Sequence, residues 1–244
     1  MKSLQAILHQ ILNYIFPPLC AGCEKEGNFL CNDCKKDIQA HDEMCPLCHI
    51  KSPHYQLCYW CKNDHKILQW VMIAFEYSSV IKTLILSLKY KHQFHIAAYL
   101  WKKIALLISS NPLFQQKVQK KNIIISSVPS HRIRKHFVKW YNQSELLAKT
   151  VAKELNLPYI PLTQRIRHTT SQTKLKREQR FENLRQAFRL VDDHNNDILT
   201  QKSTIIIIDD ITTTGSSLIN TALPIQQLYP NIEIRWAVVA RNTK

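Results

Sequence analysis

Eight cysteines crowd between Cys20 and Cys61, and none occurs in the 183 residues that follow. They form four C-x-x-C pairs, "CAGC", "CNDC", "CPLC" and "CYWC". The spacing is C-x2-C-x7-C-x2-C, then ten residues, then C-x2-C-x9-C-x2-C, close to a duplication of one unit. A C-x-x-C turn points two thiolates at one tetrahedral ion, and two such turns complete a four-cysteine zinc site. A redox pair needs only one such motif, and a disulfide framework belongs to secreted chains, for which no leader is visible here. Consecutive grouping puts Cys20, Cys23, Cys31 and Cys34 on one zinc and Cys45, Cys48, Cys58 and Cys61 on another. Its short loops are the cheaper ones to close. A cross-braced arrangement, first pair with third, satisfies the same count. Either way both sites are closed to substrate, so the two zinc ions have a structural role.

The second constraint is "TIIIIDDITTTGSS", Thr204 to Ser217. Four isoleucines read as a strand buried on both faces, and this one runs into two carboxylates. Only three glycines occur in the chain, against an average of ~7%, and one of them, Gly215, stands in this loop. Glycine serves where the backbone needs positive φ or where a ligand approaches it closely. The loop opens a helix, whose free N–H groups and dipole favour a phosphate. Hydroxyls of Thr212, Thr213, Thr214, Ser216 and Ser217 can add bonds to it. Asp209 and Asp210 cannot hold the same phosphate; they can accept hydrogen bonds from vicinal hydroxyls or help order magnesium. A phosphate with a diol a few ångströms away describes a ribose 5-phosphate.

Around this stretch the pattern is α/β. "VMIAFEY", "NIIISSV", "TIIIIDD" and "NIEIRWAVVA" read as strands, with a short one at "LPYIPL". "SSVIKTLILSLKY", "FHIAAYLWKKIALLIS", "SELLAKTVAKEL" (capped by Ser144) and "SSLINTALPIQQLY" read as helices, and the chain turns helical again near Leu175. Alternation predicts a mostly parallel central sheet with flanking helices, whose ligands lie beyond the carboxyl ends of the strands. The expected division is an amphipathic helix over 1–16, a zinc-binding module over 17–66 and an α/β domain over 67–244.

Charge adds a partner class. Lys and Arg total 33 against 18 acidic residues, a formal +15. From Lys117 to Arg189 there are 17 Lys and Arg against four Glu, a net +13. So concentrated a block speaks for a phosphate-bearing polymer, with Phe137, Trp140 and Tyr141 interleaved as stacking faces. No run reaches the ~18 to 20 apolar residues of a membrane span. The amino-terminal stripe of Leu4, Ile7, Leu8, Ile11, Leu12 and Ile15 reads as a helix packed on its own domain, and the expected compartment is the cytoplasm.

"IIIIDDITTTGSS" resembles the phosphoribosyl pyrophosphate motif of type I phosphoribosyltransferases. "VPSHRIRKHFVKWYNQSELLA" and "RHTTSQTKLKREQRFENLRQAF" resemble two segments of the ComF family of competence proteins, the latter through Arg165 or Arg167, Gln172, Leu175, Arg180, Asn183 and Phe188. The cysteine knuckles and "YSSVIKTLILSLKY" fit as well. The resemblance implies a type I phosphoribosyltransferase-like domain behind the zinc module. It implies that Asp209 and Asp210, as catalytic-site residues, hold the ribose hydroxyls, and that Thr213 to Ser217 hold the 5-phosphate. A pyrophosphate loop follows at Ser127, Val128, Pro129 and Ser130, with Arg132 nearby. It departs from the family where Lys139 and Trp140 precede Tyr141-Asn142-Gln143 in place of Arg-Gly.

The function expected from this resemblance is DNA uptake in natural transformation. Phosphoribosyl pyrophosphate, with magnesium, would be a ligand, other uptake machinery a partner, and single-stranded DNA would bind a basic surface of Arg132, Arg134, Lys135, Lys139, Trp140, Arg165, Arg167, Lys174, Lys176 and Arg177. The alternative is an active phosphoribosyltransferase with an unidentified acceptor, such as a nucleotide-salvage enzyme.

Overall fold

The computed structural model describes residues 17–62, 67–90, 94–118, 123–130, 142–166, 187–191, 199 and 203–242. The amino-terminal stripe and most of the basic block, Arg132 to Trp140 and Arg167 to Arg177 included, lie outside them.

Four strands build the central sheet: β1 (Val71–Glu76), β2 (Ile123–Ser127), β5 (Thr204–Thr212) and β6 (Glu233–Arg241). Their order is β1-β6-β5-β2, and every pairing is parallel. The isoleucine run of β5 is buried throughout, as is Trp236 to Ala240 of β6, its neighbour. Central parallel strands covered on both faces read as continuous apolar runs for this reason. Helices α2 (Ser79–Tyr90), α3 (Phe94–Ser109), α4 (Pro112–Val118), α5 (Gln143–Glu154) and α6 (Ser216–Leu228) follow the strands, after a short α1 (Asn32–Lys36) in the cysteine-rich module. α3 packs on α5 and β1, and α5 on β2 and β5. The expected parallel sheet with flanking helices behind a cysteine-rich module is borne out.

A separate two-stranded ribbon pairs β3 (Thr163–Arg165) antiparallel with β4 (Phe188–Leu190). It ties together the two ends of the basic stretch, and the Ile166 amide extends it by donating to the Ala187 carbonyl at 2.8 Å.

The cysteine-rich module lies along β1, the sheet's edge strand. The Glu76 amide donates to Gln39 and the Leu57 amide to Gln69, both at 3.0 Å, while single bridges join Ala40 to Phe75 and Gln56 to Trp70. Two indoles reinforce the seam: Trp70 donates to the His54 carbonyl and Trp236 to that of Ile67. An edge strand left bare offers unpaired N–H and C=O groups to other chains, and here the module covers it.

Three details depart from the sequence reading. "LPYIPL" forms only one parallel bridge, Tyr159 to Ile125; Pro158 and Pro161 lack the N–H a ladder needs. α5 begins at Gln143 behind Asn142, so Ser144 is not its cap. Strand β5 runs past both aspartates to Thr212 because β6 continues beside it to Arg241.

Candidate functional site

Strand β2 stops at Ser127, opposite Ile208, whereas β5 and β6 pair four residues further. Asp209 and Asp210 therefore sit at a step in the sheet, beyond the end of one neighbour and still held by the other. The chain leaving β2 stays close, since the Val128 amide donates to the Ile208 carbonyl at 3.0 Å. Thus the turn Ser127–Ser130 lies next to the first aspartate.

Both carboxylates are buried. Oδ1 of Asp209 accepts from the Ser144 hydroxyl at 2.7 Å and from the Asp210 amide at 2.9 Å. Asp210 Oδ2 meets the ammonium of Lys89 at 2.6 Å. Burial above all, and then the neighbouring Asp210 carboxylate, push Asp209 up to about 7, against the pull of Ser144 and Lys89. Among the described residues Asp209 Oδ2 and Asp210 Oδ1 make no hydrogen bond, so each acid keeps one oxygen for a hydroxyl donor. Lys89 and Ser144 were invisible as site residues in the sequence. Lys89 was not singled out there, and Ser144 read as a helix cap.

After Thr212 the chain turns through Thr213 and Thr214 into Gly215, which is left-handed at φ 74° and ψ 1° and precedes α6. A Cβ on Gly215 would stand 2.9 Å from Leu68 Cδ1. The glycine thus answers both a backbone and a packing demand, and the group that approaches it is Leu68. Thr214 Oγ1 and Ser216 Oγ are 2.7 Å apart, and the Ser216 amide donates to Thr214 Oγ1 at 3.4 Å. Ser217 is the second residue of α6, its carbonyl accepting from Thr221 Oγ1 at 2.8 Å.

On the opposite turn, Ser127 Oγ pairs with the Tyr159 hydroxyl at 3.0 Å, and Asn142 Nδ2 donates to the Val128 carbonyl at 3.1 Å. Ser130 Oγ, buried, has no partner among the described residues. Pro129 precedes it, half-buried. Of the basic residues assigned to nucleic acid, Arg165 is the one described; it lies in β3 with its guanidinium 5.6 Å above the Phe188 ring.

The cysteines divide consecutively. The sulfurs of Cys20, Cys23, Cys31 and Cys34 lie within 4.8 Å of one another, as do those of Cys45, Cys48, Cys58 and Cys61. Cys23 and Cys31 sulfurs are 3.7 Å apart, and those of Cys48 and Cys58 3.5 Å. Zinc–sulfur bonds of about 2.3 Å at tetrahedral angles set sulfurs about 3.8 Å apart, whereas a disulfide needs about 2.05 Å. The donor sets fit two zinc ions. The knuckle backbone is built for thiolate as well: Cys20 Sγ accepts from the amides of Cys31 at 3.3 Å and Gly22 at 3.4 Å. Burial alone would raise that thiol, and the amides hold it down at about 6.

Residues 11–62 match the model of the double zinc ribbon domain. Competence protein F of Haemophilus influenzae is 28% identical over 206 residues, 82% of this chain and 80% of that protein. DNA utilization protein YhgH of Salmonella typhimurium is 29% identical over 198 residues, covering 79% and 82%. YhgH of Escherichia coli K12 is 28% identical over 212 residues, covering 84% and 89%. Over about four-fifths of its length the chain is similar to these proteins. Solved structures similar to it include orotate phosphoribosyltransferase from Aeropyrum pernix, with 12% identity, 63% of this chain and 64% of that one covered, and a TM-score of 0.34. Adenine phosphoribosyltransferase from Leishmania tarentolae has 8% identity, coverage of 74% and 89%, and a TM-score of 0.36. No helix among the described residues is long and apolar enough to cross a membrane.

Proposed function

We propose that this protein is a ComF-like protein that acts in DNA uptake and utilization, binding phosphoribosyl pyrophosphate at the step in its sheet and single-stranded DNA on its basic surface. The relatives' names support the DNA-handling role. The observation that carries the ligand reading is the step itself, where two buried aspartates each keep one oxygen unspent beside a left-handed glycine loop. In this reading Asp209 and Asp210 accept the ribose hydroxyls and Thr213 to Ser217 cradle the 5-phosphate. Ser127 to Ser130, with Arg132, face the pyrophosphate, whose charge magnesium would share. Ser130 brings a buried hydroxyl without a partner to that turn.

Titration calorimetry of the zinc-loaded protein with phosphoribosyl pyrophosphate and magnesium tests this. Asn at 209 and 210 has a single oxygen to meet Ser144 and Lys89, and places an NH2 donor where each acid offers its second oxygen to a ribose hydroxyl. Wild type should bind, and the folded Asp209→Asn, Asp210→Asn variant should lose at least ten-fold in affinity. Equal affinity in the two proteins would remove the ribose assignment. Release of pyrophosphate in the presence of bases, amines or single-stranded DNA would add turnover to binding.

A further inference from the structure

The acid pair at the step already has a cation. Lys89 Nζ lies 2.6 Å from Asp210 Oδ2, and the two side chains are 21% and 11% exposed. The lysine reaches the step from a fixed base. It is the penultimate residue of α2, whose Val80, Ile81, Leu84, Ile85 and Leu88 are all buried. A lysine on a helix ordinarily lays its stem along the surface and keeps its head in water. Here the stem delivers the ammonium to a carboxylate that the sheet has buried.

A divalent cation held by these acids would have to meet that ammonium. Magnesium binds carboxylate oxygens at about 2.0 to 2.1 Å and keeps several waters in a near-octahedral shell. Asp210 Oδ2 is engaged by Lys89, and Asp209 Oδ1 by the Ser144 hydroxyl and the Asp210 amide. Asp209 Oδ2 and Asp210 Oδ1 remain. An ion on Asp210 Oδ1 would share one carboxylate with the ammonium, where like charges repel strongly because little water screens them. A neutral hydroxyl donor meets no such repulsion. The donor set at the acids therefore fits a diol better than it fits magnesium.

We propose that Lys89 is the resident counter-ion of the acid pair, and that the ribose end of the site takes its sugar phosphate without a divalent metal. The inference rests on the reading that a ribose phosphate binds at the step, and it widens the ligand class. Sugar 5-phosphates without a pyrophosphate, ribose 5-phosphate among them, bind in the absence of magnesium. The metal matters only to a ligand that brings a pyrophosphate of its own to the turn Ser127 to Ser130.

Two measurements on the full-length, zinc-loaded protein test this, in buffer freed of divalent ions by a chelating resin. The first is manganese binding without sugar, followed by electron paramagnetic resonance, since carboxylate and water sites suit manganese as they suit magnesium. Wild type should hold no manganese ion that the Asp209→Asn, Asp210→Asn variant loses. Lys89→Met, checked for two zinc ions and a cooperative melt, should gain one such ion, and Lys89→Arg should gain none. The second is calorimetry with ribose 5-phosphate. Wild-type affinity should be the same with and without added magnesium. In Lys89→Met without magnesium it should fall about ten-fold or more, because the acids are left uncompensated beside an anionic ligand. A manganese ion on the wild-type acids would overturn the proposal, as would tighter ribose 5-phosphate binding on adding magnesium. Neither outcome depends on Lys89→Met folding. If wild type and Lys89→Met bind ribose 5-phosphate equally, the counter-ion role is wrong while the ligand reading stands. If wild type binds neither ribose 5-phosphate nor phosphoribosyl pyrophosphate, the ligand reading falls and the ribose part of this inference falls with it. The manganese comparison then decides by itself whether Lys89 bars a metal from the acids.

Discussion

Arg241 donates from Nη1 to the backbone carbonyl of Pro46 across 2.6 Å. Arg241 is the last residue of β6 and pairs in register with Thr212, where the candidate phosphate loop begins. Pro46 lies inside the third knuckle, between Cys45 and Cys48. One hydrogen bond therefore joins the second zinc set to the rim of the ligand site. Pro46, Leu68, Thr214, Gly215 and Arg241 surround the same cavity of about 10 Å³, barely room for one water. The module is seated against the loop.

Zinc loss from the second set should therefore be felt at the loop. Cys45→Ser should reduce the metal content from two zinc ions per chain to one and lower the melting temperature. Amide exchange should also speed up over residues 212–217. Unchanged exchange there, with one zinc gone, would separate the module from the site. Arg241→Ala keeps both zinc ions and should cost about 1.5 to 3 kcal/mol, the range for a hydrogen bond to a charged group, read by urea unfolding.

The acid pair predicts an unusual pH dependence. Asp209 titrates near 7 in the folded chain and near ~3.9 when unfolded. Between those values the folded state holds the extra proton, so this group's contribution to stability falls as pH rises from about 4 to about 7. Its full penalty, on the order of a few kcal/mol, is present above pH 7. In magnesium-free buffer Asp209→Asn should exceed wild type in stability at pH 8, and the difference should vanish near pH 4. A difference that stays constant across that range would show that Asp209 keeps an ordinary carboxylate pKa.

Much of this was legible in the sequence for a simple reason. The zinc ligands, the parallel strands and the glycine loop are each local patterns, with spacing or periodicity as the signal. For Cys20 to Cys61 short loops favoured the consecutive grouping, but a cross-braced one satisfied the same count until the structure brought the sulfurs together. What stayed hidden comes from residues distant along the chain. Nothing near Lys89 says that its ammonium meets Asp210 across 121 positions, and Ser144 looks like a helix cap until the sheet brings Asp209 beside it. The same holds for Gly215, whose close neighbour is Leu68.

Lys89 should matter through its partner. Its side chain is 21% exposed and that of Asp210 11%, so the pair is mostly screened from water. Removing one member of a fully buried pair costs about 3 to 5 kcal/mol, and partial access to solvent brings the expectation to about 2 to 3 kcal/mol for Lys89→Met. Lys89→Met with Asp210→Asn should recover part of that loss, because no charge is left uncompensated. Denaturant unfolding of the three proteins measures this. A double variant no more stable than Lys89→Met would mean that the ion pair is not what the lysine contributes.

The last prediction concerns Gly215 and Leu68. Gly215→Ala meets two obstacles, a backbone at φ 74° and a methyl group placed 2.9 Å from Leu68 Cδ1. A non-glycine residue held in the left-handed region costs about 1 to 3 kcal/mol, and the contact adds to that unless Leu68 shifts. Leu68 is 3% exposed, so Leu68→Ala alone should cost about 2 to 5 kcal/mol as a cavity. In the double variant the new methyl group enters space that Leu68 has left. The clash is relieved and the backbone strain stays. The combined loss should fall short of the two single losses added together by about 1 kcal/mol, within the range for touching residues. Strict additivity in urea unfolding would show that Leu68 does not press on the loop, and that the left-handed backbone alone demands glycine.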